Sequence, residues 1–456
     1  MRFASLGGFG AALACAAFLV ACGGGGGSAP TSGSLTGGSM NGNHAASNQG
    51  PGTHITVVIH RDNTKTHTHS HLRRVATSKR NPKFVSENAE GLQITVAATG
   101  AASQSVYADL TSSSLCNTVS SVTTCVITVP TIATNEQFTL LETDSVPQNS
   151  TNGYGTGFSN GTNILGALNA SESVQLGAAN NLALEVGPVA ANLYDCYYGL
   201  IDNGVPNALP QPHNSNYGID TSNSTRLVVT GGAAANGVIA VEYGDASGCW
   251  FNGDTTPAPF VDVNGSPTPI SVGSSSTALT VAPIVNNGTA PPASAYTQTN
   301  SIPNDGYYWY DCEFLIGIKT SASFASASTI TFNNNLTALN PFTSAAYPNT
   351  VTYQVVPLTV SSTSVTVAAS GSTMVTGTDS NASDPMDAES AYGAQDENCN
   401  TGGGATLATI SPGSLNGTNW TQPFTINAGS TTGTCTFYIY DTDAGTVTLP
   451  ITVTIN

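Results

Sequence analysis

Few residues in this chain are of types that commonly carry out catalysis. Histidine occurs 7 times in 456 residues, and His213 is the only histidine after His71. A Ser/His/Asp or Cys/His arrangement in the later sequence would need His213 as its base. His213 lies in the Pro/Asn-rich stretch ALPQPHNSNYG, which is typical of a solvated loop. No nucleophile elbow, zinc-protease helix, P-loop or dinucleotide-binding motif is present. We therefore expect no enzymatic activity, no catalytic residue, no cofactor and no metal site.

One pair of carboxylates remains a catalytic alternative. The triplet Tyr194-Asp195-Cys196 recurs 116 residues later as Tyr310-Asp311-Cys312, and aromatic residues flank both copies. Two facing carboxylates are the requirement of glycoside hydrolysis, and aromatic rings stack on sugars. In the alternative interpretation both aspartates end strands or turns, and the rings pack in a core. A carbohydrate-active or carbohydrate-binding protein would bring Asp195, Asp311 and Glu313 together in a cleft.

Two further clusters raise the question of metal binding. His67, His69 and His71 alternate, so an extended chain projects them to one side, where they could hold a transition metal weakly. No carboxylate or cysteine completes that set, so a solvated basic segment is the favoured interpretation. The segment 379–397 carries six acidic residues and no basic one, which suits Ca²⁺ or a solvated acidic loop.

The cysteines predict disulfides, because seven of the nine follow an export signal described below. Cys116 and Cys125 are nine residues apart across a turn-rich stretch, which predicts a hairpin bridge. Cys399 and Cys435 fall in the last block of strands, where they would join a loop to a strand. Three cysteines remain, and their matching contexts favour pairing Cys196 with Cys312. Cys249 would then be a buried thiol, although spacing leaves the pairing of these three open.

Charge divides the chain into two unlike parts near residue 84. Only 8% of the residues are charged, against about 25% in ordinary soluble domains. Residues 23–83 carry seven basic residues and one acidic residue, a net charge of +6. Residues 84–456 carry only Arg226 and Lys319 against 26 acidic residues, a net charge of −24. A body without a basic face excludes nucleic acid as a partner.

Residues 1–22 have the layout of an export signal. One arginine precedes a short apolar run, which ends in Leu19-Val20-Ala21-Cys22 and is followed at once by Gly23. This ending resembles the lipobox of bacterial lipoproteins. The resemblance implies cleavage before Cys22, lipidation of its thiol and firm anchoring of the chain in a membrane. A glycine rather than an aspartate after the cysteine favours the outer membrane by the same analogy, so we expect an exported, lipid-anchored protein.

Residues 23–83 predict a disordered tether. The first part, 23–53, is rich in Gly, Ser and Asn, and about 30 such residues have a root-mean-square reach of roughly 30 Å. The second part is basic and histidine-bearing, which favours contact with anionic lipid or polysaccharide phosphates. Within it, HITVVIH at 54–60 has the alternation of a short strand.

From residue 84 onward the sequence predicts an all-β fold of tandem sandwiches. Short segments alternate in hydrophobicity with period two, among them LQITVAA, CVITVP and FTLLET, and Asn, Gly, Ser and Pro separate them. The Cys-bearing strand GTCTFYIYD, the Asp-Ala-Gly turn and the final alternating strand resemble the close of bacterial immunoglobulin-like domains. We predict a β-sandwich at 84–190, an irregular β-rich domain at 191–358 and an immunoglobulin-like sandwich at 359–456.

These features together predict a non-enzymatic surface lipoprotein. A lipid anchor, a tether and a series of sandwiches would present a surface for adhesion or envelope interaction. The expected partners are the membrane, through the lipid, and surface glycans or proteins. Few charges and many hydroxyl and amide groups suit weak, multivalent contacts with such partners.

Overall fold

The computed structural model shows an all-β chain. It describes residues 52–60, 88–119, 122–184, 186–196, 201–202, 205–206, 216–220, 222–247, 260–284, 291–302, 314–347, 349–382, 384–391, 397–400 and 406–456. These residues form thirty strands, and the only helical element among them is a single 3-10 turn at Ala293–Ala295. The strands belong to three sandwiches, called here the first, middle and last sandwich, as the period-two patterning predicts.

The first sandwich packs a four-stranded sheet on a six-stranded sheet. Its strands are β1 (Thr53–His60), β2 (Gly91–Ala97), β3 (Gln104–Asp109), β4 (Cys116–Val119), β5 (Val122–Val129), β6 (Asn135–Thr143), β7 (Tyr154–Gly155), β8 (Ile164–Ser173), β9 (Asn180–Ala183) and β10 (Gly187–Pro188). The sheet orders are β4-β5-β1-β9 and β10-β8-β6-β2-β3-β7. Alternate side chains of both sheets, such as Ile127 and Phe138, fill one core.

Strand β1 lies inside the range that the sequence analysis assigned to a disordered tether. It pairs antiparallel with β5 along its whole length and parallel with β9. Ile55 and Val57 are buried in the core of the first sandwich. The alternation of HITVVIH therefore produces a central strand, because its partners β5 and β9 bring apolar residues from far along the chain. The rest of that range, 23–51 and 61–83, lies outside the described residues.

The middle sandwich contains strands β11 to β22. They are β11 (Asn192–Cys196), β12 (Ile201–Asp202), β13 (Val205–Pro206), β14 (Tyr217–Asp220), β15 (Asn223–Thr230), β16 (Ala235–Gly244), β17 (Ser271–Ser274), β18 (Leu279–Pro283), β19 (Thr299–Ser301), β20 (Phe314–Thr320), β21 (Ser328–Asn333) and β22 (Thr350–Val360). One sheet has the order β11-β16-β20-β18. The facing strands belong to a ten-stranded sheet that continues into the last sandwich.

The last sandwich has the strand order of an immunoglobulin-like domain. Its further strands are β23 (Ser364–Val367), β24 (Ser372–Asp379), β25 (Asp387–Ser390), β26 (Asn398–Asn400), β27 (Thr406–Pro412), β28 (Thr421–Ala428), β29 (Gly433–Tyr440) and β30 (Ile451–Ile455). The end of β22 continues as β22-β24-β28-β27-β26, and the facing sheet runs β23-β30-β29-β25. When β23 and β26 are counted as additional strands, the other seven, taken as A to G, have the ABED and GFC orders of that fold.

Strands β15 and β22 are buried on both faces, and each face belongs to a different core. Leu227 and Val355 contribute to the core of the middle sandwich. Their sequence neighbours Val228 and Val356 contribute to the core of the last sandwich. Because successive side chains of a strand point to opposite faces, one parallel strand pair serves two cores. The domain boundary predicted between residues 358 and 359 therefore lies inside β22, a strand that contributes to both sandwiches.

The first and middle sandwiches also share an apolar contact. Leu141, Ala167 and Val189 of the first sandwich pack with Val263 and Leu336 of the middle one. Polar contacts flank this contact: the Asn340 side-chain amide donates to the carbonyl of Thr162 at 2.8 Å, and the backbone N–H of Ile164 donates to the hydroxyl of Tyr347 at 3.2 Å. The three sandwiches are thus joined in series by packed interfaces.

Candidate functional site

The most unusual group of side chains surrounds Arg226 at the junction of the middle and last sandwiches. Arg226 lies in β15 on the face that points to the last sandwich, and its side chain is 1% exposed. Asp220 ends β14, Asp379 ends β24, and Asp441 follows β29. Strand ends from both sandwiches therefore bring three buried aspartates to one guanidinium. We call these four residues the junction cluster.

The guanidinium of Arg226 contacts every member of the junction cluster. Its Nη1 donates to Asp220 Oδ2 at 2.9 Å and to Asp441 Oδ2 at 3.0 Å. Its Nη2 donates to Asp379 Oδ1 and, at 3.2 Å, to the carbonyl oxygen of Ser380. Nε donates to the same carbonyl at 3.3 Å. Arg226 therefore joins two loops of the last sandwich to a strand of the middle one.

Backbone donors stabilise two of the aspartates in the junction cluster. Asp220 Oδ1 accepts from the backbone N–H of Ser222 at 2.8 Å and that of Asn223 at 3.1 Å. Asp441 Oδ1 accepts from the N–H of Asp443 at 2.9 Å and that of Ala444. At Asp441 such bonds favour the charged form of the carboxylate. At Asp220 they fix the position of the side chain at the end of β14.

Asp379 differs from its two neighbours. Burial is the largest influence on it and raises the pKa of Asp379 to about 8, and a hydrogen bond to Asp441 acts in the same direction. Burial also opposes ionisation of Asp441, but its bonds from Asp379, Ala444 and Arg226 together lower the pKa of Asp441. Within the described residues Asp379 Oδ2 has no hydrogen-bond partner. Burial therefore disfavours a charge on Asp379, and the charge of Arg226 opposes that effect.

The junction cluster is therefore a structural clamp, because its ion pairs hold the middle and last sandwiches together. Burial tends to lower the pKa of Arg226, but the charges of Asp379 and Asp441 outweigh it and raise that pKa. The side chains of the cluster are almost fully buried, so no substrate reaches them. Hydrogen bonds continue the junction beyond the cluster: Thr230 donates to the carbonyl of Val447 at 2.6 Å, and Thr446 donates to that of Val228 at 3.1 Å.

The acidic segment 379–397 does not form one loop. Asp379 belongs to the junction cluster, and β25 begins at Asp387. Tyr440 donates to Asp387 Oδ2 at 3.2 Å. Asp443 has its pKa raised to about 6, first by burial and then by a hydrogen bond with Asp384. Within the described ranges, no three or more His, Cys, Asp or Glu side chains are grouped to hold a metal ion.

Two of the three expected disulfide pairs lie in the described residues. Cys116 and Cys125 are bonded to each other and stand directly opposite in the β4–β5 pair. Cys399 of β26 is bonded to Cys435 of β29, which joins the two sheets of the last sandwich. Cys196 ends β11, but its side chain, Cys249 and Cys312 lie outside what the structure describes.

Several other sequence-predicted residues also fall outside the described part. They are the lipid-attachment residue Cys22, the histidines His67, His69 and His71, and Asp311 and Glu313 of the expected cleft. Asp195 is a residue of β11, and its backbone is paired with that of Val241 in β16. The structure therefore neither assembles nor separates the Asp195–Asp311 pair. In the described ranges, no helix is long and apolar enough to cross a membrane.

The sequence analysis did not identify the junction cluster. It recorded Arg226 as one of only two basic residues after 83, without assigning it a role. The available signal was its setting, since Arg226 directly precedes the apolar run Leu-Val-Val of β15. An arginine that is buried beside such an apolar run needs an acidic partner, and the acidic residues after 83 offer many. Asp220 is only 6 residues from Arg226, but Asp379 and Asp441 are 153 and 215 residues away, and local patterns do not reveal such distant partners.

Comparison with known proteins adds little to the geometry. The chain matches no protein-family model, and a search of curated proteins gives no match. Among solved structures it is similar to FdeC, described as a broadly conserved Escherichia coli adhesin. The match covers 82% of this chain and 100% of that chain, with 11% identity and a TM-score of 0.20. A score this low supports no inference about the function of this chain.

Proposed function

We propose that this chain is a non-enzymatic surface lipoprotein that presents a rigid series of β-sandwiches for adhesion or envelope interaction. The observation that carries the proposal is the junction of the middle and last sandwiches. A shared parallel strand pair and a buried ion cluster join them, so they are built to hold one orientation. Such construction suits a body that must hold a binding surface away from its anchor.

The chemistry of the body supports the same function. Its two basic residues are both engaged, Arg226 in the junction cluster and Lys319 over the ring of Tyr296 at 3.9 Å. The remaining charge is acidic, which repels anionic head groups and favours extension away from a membrane surface. The sequence Leu19-Val20-Ala21-Cys22 supplies the proposed attachment point. The proposed location is the outer membrane or cell surface.

The anchor is tested by the mass of the mature N-terminus. The full chain is expressed in a bacterium that matures lipoproteins, together with Cys22→Ala and the matched control Cys15→Ala. The wild type and Cys15→Ala should enter the detergent phase and begin at an acylated Cys22. Cys22→Ala should carry no acyl mass, whether or not its leader is removed. A wild-type N-terminus that begins elsewhere, without lipid, would refute the anchor.

Adhesion is tested separately, under flow. Cells that display the wild-type chain should remain on surfaces coated with polysaccharide or matrix protein at shear forces that remove otherwise identical cells lacking the chain. Equal retention of the two strains on every coating would refute an adhesive role while leaving the anchor intact. The second candidate, carbohydrate binding or processing by the middle domain, stays a prediction, because Asp311 and Glu313 lie outside the described residues.

A further inference from the structure

The outward face of the six-stranded sheet in the first sandwich has a covered end and an open end. At the covered end, Leu141 and Ala167 are buried against the middle sandwich. The hairpin at 261–267 closes over the sheet here, because a Cβ on Gly265 would lie 2.5 Å from the backbone nitrogen of Asn169. The hairpin thus forms a wall beside the open end.

The open end presents uncharged polar side chains from four adjacent strands. We call the following residues the polar shelf: Gln93, Thr95, Ser105, Gln137, Thr139 and Asn169. Strand pairing sets four of them in one straight row, in the order Ser105, Thr95, Thr139, Asn169. Ser105 and Asn169 are exposed, and the two threonines are half-buried.

Hydrogen bonds within the polar shelf hold its side chains in place. The hydroxyls of Thr95 and Ser105 are 2.9 Å apart, and the amide of Gln137 donates to Asn169 Oδ1 at 2.9 Å. Each of these groups retains further donor or acceptor capacity toward solvent. A surface of fixed amides and hydroxyls can exchange its water for the hydroxyls of a sugar with little ordering cost.

Aromatic rings border the row on one side. Tyr107 stands opposite Gln93 in the neighbouring row. Phe158 lies against the outward face of Gly91, where a Cβ would come within 2.5 Å of its ring. The ring centroids of Tyr107 and Phe158 are 5.7 Å apart, and Phe342 adds a second edge contact to Phe158 at 5.2 Å. The half-buried ring of Tyr107 thus offers an apolar surface beside the hydroxyl row.

The charge of the region selects among sugars. The six shelf residues carry no charge, and the nearby Asp109 is occupied by Thr111 and Ser150. Lys319 and Arg226, the only basic residues after 83, are engaged elsewhere. Among the residues that the structure describes, sulfated, sialylated or uronic acid chains would find no counter-charge beside the shelf, and the acidic residues after 83 would repel them.

We propose that the polar shelf binds an uncharged, extended glycan, whose chain crosses the strands along the row from Ser105 to Asn169. Neighbouring strands are about 4.8 Å apart, close to the length of one sugar residue, so successive residues of the glycan would each meet one side chain of the row. Tyr107 would stack on the apolar face of a sugar at the edge. This inference deepens the proposed adhesive function by naming its ligand class.

The test uses the full chain in detergent on an array of neutral, sulfated and sialylated hexasaccharides, the neutral set including β-linked glucans and mannans. The variant Thr95→Ala/Ser105→Ala removes one hydroxyl pair of the row. The matched control Thr331→Ala/Thr352→Ala removes a similar pair, 3.3 Å apart, from the ten-stranded sheet. Each pair joins one half-buried threonine, Thr95 or Thr331, to one exposed residue, so the two variants should have similar and small effects on folding.

We expect wild type and control to bind at least one neutral glycan, and the shelf variant to bind it about tenfold more weakly, the effect of two lost hydrogen bonds. Unchanged binding by the shelf variant, binding to charged glycans alone, or no binding at all would overturn the inference. Cell retention under flow in any of those cases would show that adhesion survives and resides elsewhere on the body.

Discussion

Replacing Arg226 by methionine should destabilise the protein strongly. Methionine keeps an unbranched apolar stem but leaves Asp220, Asp379 and Asp441 buried around a missing positive charge. Removing one partner of a buried ion pair costs about 3–5 kcal/mol. We expect the loss to fall within that range rather than above it, because Asp379 is already inclined to hold a proton and backbone N–H groups stabilise the other two acids.

The assay is urea unfolding at pH 7 and low salt, followed by tryptophan fluorescence. With a urea dependence of about 1–3 kcal/mol/M, the expected loss lowers the midpoint by at least about 1 M. Arg226→Lys should lie between wild type and Arg226→Met, because an ammonium keeps the charge but cannot reproduce the planar fork. The matched control is Lys319→Met, which removes the only other basic residue of the body.

The Lys319→Met control shows whether the stability lost in Arg226→Met comes from its buried ion pairs or from the change in net charge. Lys319 lies over the ring of Tyr296 and is only half-buried, so its loss should cost about 0.5–1 kcal/mol. If Arg226→Met stays within about 1 kcal/mol of wild type, the junction cluster is not the clamp described here. An equal loss in Lys319→Met would show that overall charge, rather than the buried pairing, accounts for the effect.

Two further predictions concern pH and the disulfides. The pKa of Asp379 is raised from 3.8 to about 8, so the contribution of this group to stability should be full below pH 4 and be lost as pH rises through 8. Asp379→Asn should therefore reduce the decline of the urea midpoint between pH 5 and 8, and an unchanged decline would contradict the raised pKa of Asp379. Cys399→Ala/Cys435→Ala opens a loop with a sequence separation of 36 and should cost about 4 kcal/mol, against about 2.5 kcal/mol for Cys116→Ala/Cys125→Ala with a separation of 9. Equal losses in the two double variants, measured by urea unfolding without reductant, would contradict the chain-entropy estimate.

The all-β fold could be predicted from local patterns, because strand periodicity is a local property. Segments such as Gly91–Ala97 and Gly433–Tyr440 alternate as read from the sequence. The same reasoning placed β1 in a tether, since a single alternating segment gives no sign of the distant strands that flank it. Strand pairing over such separations depends on the whole chain rather than on its neighbours.

The joining of the middle and last sandwiches was harder to predict. Strands that are buried on both faces read as continuous apolar runs rather than alternating ones. Val355, Val356, Pro357 and Leu358 form such a run in β22. The run was available in the sequence, but it does not say that its two faces belong to different cores. Asp220 lies in the strand adjacent to Arg226, but Asp379 and Asp441 lie at distant strand ends that no local pattern connects to it.

The scarcity and placement of basic residues also bear on proteolysis. Trypsin-like proteases cleave after lysine or arginine and need several residues of extended, accessible chain. After residue 83 they find only Arg226, enclosed by three aspartates, and Lys319, in a strand hydrogen-bonded on both sides by β16 and β18. The other basic residues that follow Cys22 lie between 61 and 83. A protease of this class would thus cut the chain between β1 and β2 and leave residues 84–456 otherwise intact.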